Sequence, residues 1–121
     1  MFKEALQSIV EKTDGAIGAL IMGADGLEVE NFLAEDGRDA NLDVAAAEFT
    51  SLVRSTRRSA ADLALGDLHE LVVSLENLTL VMRTFSRDYF VVLVLKPGGN
   101  LGRGRYELRK AELHLAKEFT V

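Results

Sequence analysis

The chain has 121 residues, 48% of them apolar and 27% charged, with one Pro, ten Gly and no Cys. That is close to average globular usage, which excludes a disordered, collagen-like or proline-rich chain and, with no thiol, disulfides, thiolate zinc sites, iron–sulfur clusters and a Cys nucleophile. The 14 Lys and Arg against 19 Asp and Glu leave a net charge of −5, so no nucleic acid is expected as a partner.

A chain of this length can bury roughly two-thirds of its unfolded surface, and it reads as one domain over 1–121. Charges in Met1-Phe2-Lys3-Glu4 stand where a signal peptide needs apolar residues. The longest apolar run, Tyr89 to Leu95, is far short of the ~20 residues of a membrane span. A soluble cytoplasmic protein with no membrane partner is the expectation.

Phe2, Leu6, Ile9 and Val10 recur at helical spacing and predict a helix over 2–13, stopped at Asp14-Gly15. Ala16 to Met22 is apolar on both faces, the pattern of a strand inside a covered sheet. Ala24-Asp25-Gly26-Leu27 predicts a tight primed hairpin turn, and Leu27 to Leu33, mixed on its second face, an edge strand. After a polar loop over 34–41, Leu42, Ala45, Phe49, Leu52, Val53, Ala60 and Leu63 form one stripe of a long helix, capped at Gly66. Leu68–Leu75, Leu78–Phe85 and Tyr89–Lys96 read as a meander, whose short turns force antiparallel pairing. Pro97-Gly98-Gly99-Asn100 ends the sheet, and a last helix runs from Leu101 or Gly102 to Phe119. The fold class is α+β, in the order α-β-β-α-β-β-β-α. It has a five-stranded antiparallel sheet, helices on both faces, and the two doubly apolar strands in the middle.

The residues carry little chemistry. His69, placed in a strand, and His114, in the last helix, have no partner at ligand spacing, so no metal site is expected. No Ser lies in a nucleophile elbow and no P-loop is present, so no catalytic residue and no cofactor are expected. Gly98 to Arg105 follows a strand and opens a helix, which suits a structural turn and, with Arg103 and Arg105, also an anion cradle. A small-molecule sensor built on that loop or on a sheet–helix cavity is a further alternative. On the long helix Arg54, Arg57 and Arg58 make a basic patch. Ala47, Ser51, Ser55 and Ser59 recur every fourth residue, either to admit a second helix closely or as an ordinary exposed face.

Three motifs in order resemble the Roadblock/LC7 family over about residues 3–119. They are Asp14-Gly15-Ala16-Ile17-Gly18-Ala19-Leu20-Ile21-Met22 with Asp25-Gly26-Leu27, then Ala45-Ala46-Ala47 with Leu65-Gly66-Asp67-Leu68, then Asn100-Leu101-Gly102-Arg103 ahead of Leu108-Arg109. The resemblance implies a non-enzymatic module that pairs with itself or a sister chain through long helices and edge strands. It is similar to the bacterial MglB-like members, which implies a regulator, of GTPase-activating type, of a small Ras-like GTPase of the MglA kind. The alternative it implies is a structural scaffold or light-chain-like subunit of a motor or signalling complex. Arginines stand on the long helix where such members carry small apolar residues.

The Leu68–Leu75 strand presents Leu71, Val73 and Leu75 on one face and Leu68 and Val72 on the other. At an edge its unpaired backbone invites its own symmetry mate. The expected dimer and partner interface is therefore Ala47, Ser51, Arg54, Ser55, Arg58 and Ser59 with Leu71 and Val73.

Overall fold

The computed structural model describes residues 2–38 and 40–119. Its elements are α1 (Phe2–Glu11), β1 (Ala16–Gly23), β2 (Glu28–Leu33), α2 (Leu42–Asp62), β3 (Glu70–Ser74), β4 (Thr79–Thr84), β5 (Tyr89–Leu95) and α3 (Leu101–Phe119). A single 3₁₀ turn at Glu35–Gly37 occupies the polar loop before α2. The strands form one antiparallel sheet in the order β2-β1-β5-β4-β3.

The doubly apolar strands do lie side by side in the interior. Leu20 stands opposite Val92 and Ile21 opposite Val91, all fully buried. Alternation then divides each strand between two cores. On one face Leu6 and Ile9 of α1 and Leu108 and Leu115 of α3 cover Ala19, Ile21, Val81, Val91 and Leu93. On the other, Leu42, Ala46, Phe49 and Val53 of α2 cover Leu20, Met22, Met82, Phe90 and Val92. Each buried Leu, Ile, Val, Met or Phe side chain contributes about 1.5–3 kcal/mol, so the sheet is held from both sides.

Several local readings need correction. The β1–β2 turn is not a primed two-residue turn, because of its central pair only Gly26 has positive φ. The Gly26 amide bonds the Gly23 carbonyl and the Gly23 amide bonds that of Leu27, a three-residue loop closed by a left-handed glycine. Asp25 instead accepts the Leu27 amide on its carboxylate, at 3.0 Å. The cap of α2 is not Gly66. Ala64 takes the left-handed conformation, with φ 54°. The Leu65 amide reaches back to the Ala60 carbonyl and the Ala64 amide to that of Ala61, the paired bonds of a Schellman ending.

Strand β3 starts at Glu70, so His69 and Leu68 precede it. Leu68 therefore escapes the strand's alternation and packs on the same core as Leu71 and Val73, not opposite them.

The Gly98–Arg105 segment is a structural turn in which most amides are taken. Asn100 N–H donates to the Asp14 carbonyl and Gly104 N–H to that of Asn100. The Asn100 side chain caps α3 by accepting the Arg103 amide at 3.0 Å.

Candidate interaction surface

Helix α2 is 21 residues long, about 30 Å at 1.5 Å per residue. Its buried line is Leu42, Ala46, Phe49, Thr50 and Val53. Leu52 precedes Val53 by one residue and is therefore rotated about 100° away from the core direction. It is 49% exposed, and Leu63, beyond the last helical turn, is exposed as well. These two side chains were expected in the buried stripe and instead belong to the outer surface.

The solvent side of α2 thus differs from a row of small polar residues. Ala47, Ser51, Arg54, Ser55, Arg58 and Ser59 are all exposed there. Among them stand Val44, 56% exposed, and Leu52. The signal for both was available in the spacing. Val44 and Ser51 are seven residues apart and share a line opposite Val53.

Two arginines of this helix have a task inside the fold. Arg54 donates to the Ala24 carbonyl at 3.0 Å and Arg57 to the Arg87 carbonyl at 3.1 Å. Those carbonyls sit on the tips of the β1–β2 and β4–β5 hairpins, which are themselves joined by the Ala24 amide and the Asp88 carbonyl at 2.8 Å. The C-terminal half of α2 is therefore latched to the two hairpin tips. Arg58 is the α2 cation without a partner among the described residues.

Leu71 and Val73 do not share the outer surface of α2. They are half-buried on β3, on the sheet face that α2 covers. Val72, opposite Val81, points to the α1–α3 side. β3 pairs with β4 alone, so its second edge is open.

An open cleft of about 870 Å³ lies below the end of α2, between Ala60, Ala64, Leu68 and the β4–β5 tip at Phe85–Asp88. Its walls mix Arg57, His69 and Arg87 with Asp67, Asp88 and Glu112. Neither sign dominates, so it favours no one charge class of ligand. His69 and His114 are both exposed. Among the described residues no group of three His, Asp or Glu could hold a metal ion, and no helix is long and apolar enough to cross a membrane.

On the far side of the sheet Glu70 of β3 binds Arg105 of α3 at 2.7 Å, with Arg83 at 3.9 Å. The Glu70 carboxylate holds the Arg105 guanidinium above its ordinary range, by hydrogen bond first and charge second.

The sequence pattern of the Roadblock/LC7 domain matches residues 2–95. Among curated proteins none matches this chain. Among solved structures, MglC from Myxococcus xanthus is 35% identical and covers 96% of this chain and 97% of its own, with a TM-score of 0.70. The gliding protein MglB from Thermus thermophilus is 23% identical, covers 94% of this chain and 84% of its own, and superposes with a TM-score of 0.83. A further MglB structure, in a tetrameric arrangement, is 24% identical over 94% of this chain and 84% of its own, at 0.83. Sequence and backbone rank these relatives in opposite order. At under 25% identity the MglB likeness carries the fold alone.

Proposed function

The chain belongs to the Roadblock/LC7 family, and from that premise we propose that it is a homodimeric, non-enzymatic module that binds a small Ras-like GTPase and speeds its GTP hydrolysis. The observation that supports this reading is the outward side of α2, where small and apolar side chains stand together on a helix latched at its C-terminal half. Small residues let another helix approach closely, and apolar ones reward its arrival.

Size decides what else must take part. A stable interface buries about 800 Å² per partner. One face of a helix about 30 Å long and 10 Å wide offers roughly 300 Å². α2 alone falls short, so the open edge of β3 contributes by pairing with the β3 of a second copy. Two sheets then become one and two α2 helices come side by side, giving a doubled face for the GTPase. Such a surface acts by holding the GTPase's mobile loops, with no inserted catalytic group required.

The test is a pull-down against the small GTPases of the same organism, loaded with GTP or GDP, with hydrolysis rates measured alongside. Nucleotide-dependent binding with faster hydrolysis is expected. Binding without a rate change would replace the reading with a structural scaffold or light-chain-like role. No binder in either nucleotide state would overturn it.

A further inference from the structure

Helix α3 exposes its cations and draws its carboxylates toward the sheet or its flanks. Arg103, Arg105, Arg109, Lys110 and Lys117 are all exposed, while Glu107 is buried and Glu112 and Glu118 are half-buried. In a chain of net charge −5 this is a purely cationic outer face. Two large side chains lie along it at seven-residue spacing, Tyr106, 56% exposed, and Leu113, 73% exposed.

The cations of the first turns are fixed in place. Glu107, 2% exposed, holds Arg103 at 2.9 Å and Lys110 at 3.3 Å. Both cations also lie against the Tyr106 ring, 5.6 and 5.4 Å from its centre. Arg105 is anchored on Glu70. Arg109 has no partner among the described residues, and together with Gly102, Arg105, Tyr106 and Lys110 it lines a shallow groove. Burying a carboxylate to hold two exposed cations beside an exposed ring carries a desolvation cost that a simple solvated face does not need.

We propose that this face docks an acidic amphipathic helix of a partner protein. The apolar residues of that helix would cover Tyr106 and Leu113, and its carboxylates would meet Arg109, Arg105, Lys110 and Lys117. Charge complementarity selects the occupant. A membrane surface fits less well, because two apolar side chains give little to insert and the rest of the chain is acidic. The inference does not rest on the GTPase reading, since α3 lies on the sheet face opposite α2.

The probe is a fluorescein-labelled helical peptide of alanine, leucine and glutamate, with a lysine-for-glutamate peptide as its control. Fluorescence anisotropy should show saturable binding of the acidic peptide alone, weakening as salt rises. Arg109→Glu, and independently Lys117→Glu, should weaken it about tenfold, because a like charge then faces the peptide. Tyr106→Ala should weaken it with all cations kept. Both charge variants alter exposed side chains, and circular dichroism checks that they fold. The proposal is overturned if the acidic peptide does not bind or binds Arg109→Glu as tightly as the parent. Co-sedimentation of the chain with phosphatidylglycerol vesicles, without peptide binding, overturns it in favour of a membrane.

Discussion

Ala64 is the residue whose identity and conformation disagree most. A side chain at φ 54° brings Cβ near the following carbonyl, a strain of roughly 1 kcal/mol that glycine avoids. Ala64→Gly should therefore stabilise the fold by about 0.5–1 kcal/mol, read as a higher urea midpoint at unchanged slope. An unchanged or lower midpoint would show that the Schellman ending is absent in solution. The sequence pointed to Gly66 because glycine is the usual left-handed cap, and the helix ends two residues earlier on its bonding pattern. Arg54 and Arg57 teach a similar lesson. As letters they are free charges, and only the meeting of two hairpin tips reveals the carbonyls they bind.

At the scale of elements the sheet was the most legible part. Runs apolar on both faces can lie only inside a covered sheet, and β1 and β5 do. Val92→Ala should accordingly cost about 2–4 kcal/mol in chemical denaturation, the range for removing core methyl groups. A loss below about 0.5 kcal/mol would mean that the position is a surface one. Helix α2 was less legible. Its length and start were plain, but Leu52 and Leu63 were counted as core because an apolar residue near the stripe looks like part of it. The rotation of about 100° per residue turns Leu52 away and the helix ends before Leu63, which leaves both side chains on the outer surface. Spacing alone does not show that the carboxylates of α3 turn inward. That needs the positions of Arg83, beside Glu112, and of Arg103 and Lys110, beside Glu107.

For the whole molecule, the chain has two surfaces of different chemistry on opposite sides of one sheet. α2 offers small and apolar side chains beside Arg54 and Arg58, and α3 a cationic face. Between them runs the open edge of β3, with Leu71 and Val73 toward α2 and Val72 toward α3. If β3 edges pair across a two-fold axis, Ser55→Arg should weaken self-association or GTPase binding while leaving the thermal midpoint of the single chain nearly unchanged, since Ser55 is exposed. Acidic-peptide binding to α3 should be untouched by the same change. The most direct measurement is the mass in solution by sedimentation equilibrium at tens of micromolar. We expect twice the 13.2 kDa of one chain. A mass of 13.2 kDa across that range would contradict the paired edge, and with it the doubled α2 face on which the GTPase reading depends.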